Sequence, residues 1–292
     1  DGGMVVAARN GLLVLDSEAR PVRDLPLPDK GTAHEMPMVG CTPDGAVAFA
    51  AIGLSGSLPS PKYVTEGGLP RLQLATWDIA SARPGRTFDL DLTPLLPAGA
   101  AGANVMPFGC AVSPDGRRAA VGAWFTLRGP GIGKVRSVVV VWDLENGAEL
   151  FRRATDEPLR SVGFDPLGRL LVTGGSDAVG GELTCWDVGT GAEVLKLRGH
   201  THPILAAAFG PDSRVVTAGA DRVVKVWDTA TRREVLTLDG FAREVTHVRF
   251  TKDGRDLVAG TGIDLLPMMV ADVGPREQVW PPAEVRVFRG GR

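Results

Sequence analysis

Three cysteines, one tyrosine and four histidines are few for 292 residues, and these are side chains that nucleophilic, redox and metal chemistry often use. Cys41, Cys110 and Cys185 cannot all pair, and no CxxC or Cys/His cluster with metal-ligand spacing joins them. Each sits in an apolar run (PMVGCT, PFGCAV, ELTCWD), so three buried thiols in a reducing compartment are expected. His34, His202 and His247 lie in separate stretches without HxH or HExxH spacing, so no metal is expected. No Gly-x-Ser-x-Gly occurs, and the glycine-rich GPGIG at 129–133 leads to Lys134 but to no Gly-Lys-Ser/Thr. No cofactor is therefore expected. Charge of one sign is also lacking: 32 basic against 34 acidic residues give −2, without the basic surplus of a polyanion binder, so nucleic acid is not an expected partner. No apolar run is long enough to span a membrane; the longest β-branched one is Val138 to Val141. No signal peptide is visible after Asp1, so a cytoplasmic location is expected, with a periplasmic one as the alternative if an upstream signal has been removed.

Turn formers are plentiful. Thirty-eight glycines and 22 prolines leave little room for long helices, while 44% apolar residues suffice for a sizeable core. A Trp-Asp pair recurs at Trp77-Asp78, Trp142-Asp143, Trp186-Asp187 and Trp227-Asp228, with spacings of 65, 44 and 41 residues. Each closes an apolar, strand-like run: RLQLATWD, SVVVVWD, ELTCWD, RVVKVWD. A second landmark alternates with it: CTPDG at 41–45, VSPDG at 112–116, FDPLG at 164–168, FGPDS at 209–213 and FTKDG at 250–254. A strand of small residues follows each. Short strands at a period of ~40–45 residues describe a propeller array. Asn10-Gly11, between MVVAAR and LLVLD, reads as a tight hairpin turn.

On these residues the chain resembles the WD-repeat β-propellers over nearly its whole length. The fullest unit runs from Leu197 to Asp228, LRGHTHPILAAAFGPDSRVVTAGADRVVKVWD. The resemblance implies an all-β propeller in a single domain, 1–292, with six repeats ending near 16, 78, 143, 187, 228 and 289; a seventh further upstream is equally compatible. Leu15-Asp16 stands in for the first Trp-Asp and Phe288 for the last Trp. The first and last blades are expected to be incomplete, because the chain starts at a turn-like Asp1-Gly2 and ends after one strand c. The resemblance also implies a structural hydrogen-bond tetrad of His200, Thr217, Asp221 and Trp227. The repeat ending near 187 has Asp177 and Trp186 but no Gly-His, and Gly240-Phe241 replaces Gly-His before the last repeat.

Departures from the repeat fall mostly in b–c and d–a connections: 53–71, 126–136, 177–181 and 261–283 of the first kind, 91–103 of the second. The a–b and c–d turns stay short. In a propeller the b–c and d–a loops share a face, and long loops in compact domains are usually functional or disordered. These inserts and their borders hold Tyr63, Trp124, Met268, Met269 and Trp280, with Arg71, Arg128, Arg136 and Arg276 as a polar rim for an acidic or phosphorylated segment. Self-capping of the loops by these apolar groups is the alternative. A non-catalytic module binding a protein or peptide on that face is the expected function. In bacteria such propellers often form one domain of a larger protein, fused for example to a signalling or effector domain. The alternative is a quinoprotein-like or extracytoplasmic enzyme or ligand-binding propeller, weakly suggested by WDLENGAEL and WDVGTGAEV.

Overall fold

A computed structural model of the chain describes residues 4–8, 11–16, 18–26, 38–42, 44–54, 56–57, 70–96, 102–128, 135–176, 179–212, 214–251, 253–262 and 284–289. It is all-β among these residues, apart from one turn of 3-10 helix at Thr93–Leu95. The first sheet holds β1 (Met4–Ala8), β2 (Gly11–Leu15) and β3 (Pro21–Pro26). The second holds β4 (Met38–Cys41), β5 (Val47–Leu54), β7 (Arg71–Asp78) and β8 (Arg83–Asp91), with the two-residue β6 (Gly56–Ser57) in its b–c connection. The third holds β9 (Gly102–Val112), β10 (Arg118–Arg128), β11 (Val135–Asp143) and β12 (Glu149–Thr155), and β6 joins it as a fifth strand against β9.

The fourth sheet is β13 (Leu159–Phe164), β14 (Leu170–Ser176), β15 (Gly181–Asp187) and β16 (Glu193–His200). The fifth is β17 (Ile204–Phe209), β18 (Arg214–Gly219), β19 (Val224–Asp228) and β20 (Arg233–Leu238). The sixth has three strands, β21 (Val245–Phe250), β22 (Asp256–Thr261) and β23 (Val285–Arg289). All strand pairs are antiparallel neighbours in sequence except β5–β7 and β6–β9. The first three sheets form one compact unit, Asp1–Asp156, and the last three another, Glu157–Arg292.

Strand alternation explains the layering within each unit. In the second sheet Ala48, Ala50, Ile52, Ala75 and Trp77 pack with Leu12 and Leu25 of the first. Their neighbours Phe49, Ala51, Leu72 and Leu74 point the other way, into a core with Val105, Val121, Val138 and Trp142 of the third. The other unit repeats the scheme. Leu183, Cys185, Leu195 and Leu197 meet Val215 and Trp227 across one layer, and Val216, Val224 and Val226 meet Phe241, Val245 and Leu257 across the next. A sheet sandwiched on both sides needs both alternating faces apolar, which is why these strands read as nearly continuous apolar runs.

Several details differ from the sequence reading. Gly11 is not a turn residue: it pairs with Ala8 as the first residue of β2, and positions 9–10 lie outside the described residues. Cys41 is exposed rather than buried, at the end of a strand that stops before the turn; Cys110 is half-buried and Cys185 buried. The insert expected at 126–136 is shorter because the strands run on. β10 continues to Arg128 and β11 resumes at Val135, with β9 starting at Gly102 and pairing along that extension. The register also settles the place of Leu15. In the outer pairs it shifts just before Trp142, Trp186 and Trp227, and it shifts likewise between Val14 and Leu15. A bulge of this kind tightens the local twist, and Leu15 occupies the tryptophan position. Phe288 does so in the sixth sheet, since it pairs with Leu257 as Trp227 pairs with Val215.

Candidate functional site

Two constellations stand out among the described residues: the polar network of the fifth sheet, and the aromatic end of the third.

His200 ends β16, so its backbone belongs to the fourth sheet, but its imidazole reaches the fifth. Nδ1 lies 2.8 and 3.0 Å from the Asp221 carboxylate oxygens, and Nε2 lies 2.8 Å from Thr217 Oγ1. The Trp227 indole N–H donates to the same Oγ1 at 2.8 Å. A single direction of donation satisfies the chain. Trp227 donates to Thr217, the Thr217 hydroxyl to His200 Nε2, and His200 Nδ1–H to Asp221. Asp221 also accepts the Thr201 and Val223 backbone N–H groups. Burial pushes its carboxyl up, but the His200 hydrogen bond and the two backbone donors outweigh burial and hold it below the usual carboxylate value.

The His200 side chain is wholly inaccessible and Thr217 is fully buried. The Thr217 hydroxyl is already engaged by two rings, and no substrate can reach it in this arrangement. The four residues placed together by resemblance are thus one connected hydrogen-bond chain, and its chemistry is that of a buried polar staple. Sequence reasoning missed the glycines that make room for it. A Cβ on Gly199 would stand 2.8 Å from the Trp227 ring, and one on Gly219 would stand 2.6 Å from Asp221 Oδ1 and 2.8 Å from His200 Nδ1. The Gly-His pair was the visible signal, but its glycine is explained by the indole three strands further on.

In the fourth sheet half of the network survives: the Trp186 indole N–H donates to Thr173 Oγ1 at 3.0 Å. Asp177 lies outside the described residues. In the second and third sheets Ala50 and Val121 stand where Thr217 stands in the fifth, so those sheets are held by packing.

The expected interaction residues are placed unevenly. Tyr63, Met268, Met269, Trp280 and Arg276 lie outside the described residues. Arg71 is exposed at the start of β7. Arg128 ends β10, and its side chain is outside what is described. Trp124 is half-buried in β10, its ring 5.4 Å from Phe108 on β9. The Phe108 ring in turn occupies the space a side chain at Gly122 would need. Arg136 is not a free rim residue. It bonds Asp156 at 2.5 Å and the Leu95 carbonyl at 2.9 Å, and its guanidinium lies 5.7 Å from the Phe125 ring. The pairing of Gly56 with Ala103 carries the insert of the second sheet onto the third, beside this aromatic end. Among the described residues no cluster of three or more His, Cys, Asp or Glu could hold a metal. No helix among them is long and apolar enough to cross a membrane.

Residues 191–228 match the family model "WD domain, G-beta repeat". A comparison with curated proteins found no match by sequence. Solved structures share the fold. One described as "Structure of U3-55K" has 18% identity and a TM-score of 0.53, covering 77% of this chain and 57% of its own. One described as "Crystal structure of RRP9 WD40 repeats" has 18% identity and a TM-score of 0.53, covering 76% and 56%. The chain thus spans a little over half the length of these structures. Its fold is the all-β propeller fold of the WD40-repeat proteins. The matched segment is itself a WD40 repeat, and it contains the whole tetrad. Proteins of this kind generally act as protein-interaction scaffolds.

Proposed function

We propose that the chain is a non-catalytic recognition module whose protein partner binds the b–c and d–a side, beginning at the second and third sheets. The observation that carries this reading is the β6–β9 pairing. It brings the insert of one sheet onto the start of its neighbour's β9, near half-buried Trp124 of β10, whose ring packs at 5.4 Å on the buried Phe108. A half-buried indole held on a rigid hairpin offers contact area at small ordering cost. Exposed Arg71 would supply the polar rim and orient an acidic segment. The insert residues Tyr63, Met268, Met269 and Trp280 extend this reading beyond the described residues. A cytoplasmic location and freedom from nucleic acid and membrane are part of the same proposal.

The test is affinity capture from the source cell, scored by comparing two variants. One combines Trp124→Ala with Arg71→Glu. The other reverses charges on the c–d turns with Glu145→Lys and Arg232→Glu. The partner should be lost by the first and kept by the second. Loss by the second alone would move the site to the opposite side.

A further inference from the structure

The c–d turns that follow the four Trp-Asp pairs are built alike, but one of them carries different chemistry. Three residues after each aspartate stand Ser81, Asn146, Thr190 and Thr231. The main-chain N–H of each donates to that aspartate at 2.7–3.0 Å. Three of these side chains are hydroxyls. Only Asn146 carries an acyl carbon with a leaving group, and the residue after it is glycine. Residues 145–148 are exposed.

The turn sets these groups against each other. Asn146 Oδ1 accepts the Ala148 N–H at 2.8 Å, which folds the side chain over its own main chain and holds Cγ beside the Gly147 nitrogen. That N–H points at the oxygen where negative charge develops when Cγ is attacked, as an oxyanion donor does. Gly147 has no Cβ to obstruct the approach, and its φ is 82°. One bond opposes the attack. The Gly147 N–H donates to the Asp143 carbonyl at 2.9 Å, so that bond must open first.

We propose that Asn146 is a site of spontaneous deamidation, which converts it to aspartate and isoaspartate and loosens the tie between the second and third sheets. The Gly147 nitrogen gives its proton to hydroxide and attacks Cγ. The new N–C bond forms, the bond from Cγ to the amide nitrogen breaks, and ammonia leaves with a proton taken from water. Water then opens the cyclic imide at either carbonyl, so the balance is one water in and one ammonia out. Opening at one carbonyl gives aspartate. Opening at the other gives isoaspartate, whose main chain runs through Cγ and is longer by one methylene. That methylene falls between two anchored carbonyls: that of Glu145, which accepts from Arg86 of the second sheet, and that of Ala148, which accepts the Asp143 N–H at 2.8 Å. The site lies in a c–d turn and does not depend on which side of the molecule binds a partner.

The test ages the folded 292-residue chain at pH 7 and pH 8 and maps its peptides by mass spectrometry, with aspartate and isoaspartate forms separated. Asn146 should convert about tenfold faster at pH 8, because the attacking nitrogen must lose its proton. Asn104, followed by valine within β9, should stay intact. The aged chain should melt a few degrees below the fresh one. Asn146→Thr, which copies the fourth and fifth sheets, should block both the conversion at 146 and the loss of melting temperature. Fresh Asn146→Asp should melt as the parent does, since a carboxylate also accepts the Ala148 N–H and the main chain keeps its length. Four results would overturn the inference. They are Asn146 intact in the folded chain after it has converted in the unfolded one, conversion confined to Asn10 of the other Asn-Gly pair, equal melting of aged and fresh chains, and an aged Asn146→Thr chain that loses as much as the aged parent.

Discussion

The Thr217 hydroxyl is the pivot of the buried network, since it joins Trp227 to His200. Thr217→Val keeps the shape and removes both bonds, leaving an indole N–H and an imidazole nitrogen without partners. Loss of about 1–3 kcal/mol of stability is expected by chemical denaturation, with Thr217→Ser retaining most of it. Equal stability of all three proteins would remove the network's structural role. The four polar residues were legible because each falls at a fixed place in a repeat. Gly199 and Gly219 were not, because their constraint comes from rings and carboxylates that only folding brings near. Thiol burial was likewise misjudged from local apolarity. Burial pushes the Cys110 and Cys185 thiols up to about 12, in Cys185 with help from the Asp165 charge, while Cys41 is exposed. Only the thiolate reacts, so a thiol reagent at pH 8 should label Cys41 rapidly and the other two after unfolding. Three equally fast thiols would contradict the packing.

The turns show why the second landmark recurs. In Thr42-Pro-Asp44, Ser113-Pro-Asp115 and Thr251-Lys-Asp253 the hydroxyl donates to the aspartate at 2.5–2.6 Å and accepts the first N–H of the next strand. Those hydroxyl bonds, with the backbone N–H bonds, hold all three carboxyls below their usual value. In the fourth sheet Asp165 stands at the hydroxyl's place and takes both backbone N–H groups itself. The hydroxyl was present in each motif but escaped notice beside the more familiar Pro-Asp-Gly. On the c–d side each aspartate of the Trp-Asp pair accepts a backbone N–H of its turn, as Asp78 does from Ser81 at 2.7 Å. Those turns then need one left-handed residue. Gly147 and Gly191 supply it freely, whereas Ala82 and Arg232 sit at φ of 56° and 58°. Relief of that strain, of ~1–2 kcal/mol, outweighs the ~0.4–1 kcal/mol that a glycine adds to unfolded-state freedom, so Ala82→Gly should stabilise by about 0.5–1 kcal/mol. A destabilised variant in equilibrium unfolding would refute the assignment of strain.

At the scale of the whole molecule, the six sheets among the described residues were readable from the repeat period, because one residue pattern encodes one sheet. The ties between the sheets of the first unit were not readable, because they join residues more than fifty positions apart. Within the first unit they are arginines from outer strands. Arg23 donates to the Ile79 and Ala80 carbonyls, and Arg86 to that of Glu145. In the second unit the His200 network plays that part. We take residues 1–292 as one domain, and this reading predicts a single cooperative transition in calorimetry. Two resolved transitions would make the units of 1–156 and 157–292 separate domains. The central claim is that recognition takes place on the b–c and d–a side. Its most direct test is a hydrogen-exchange footprint of the chain with and without its captured partner. The account predicts protection at 53–57, 102–107 and 122–128, with the c–d turns at 79–82 and 144–148 unchanged; protection confined to those turns would contradict it.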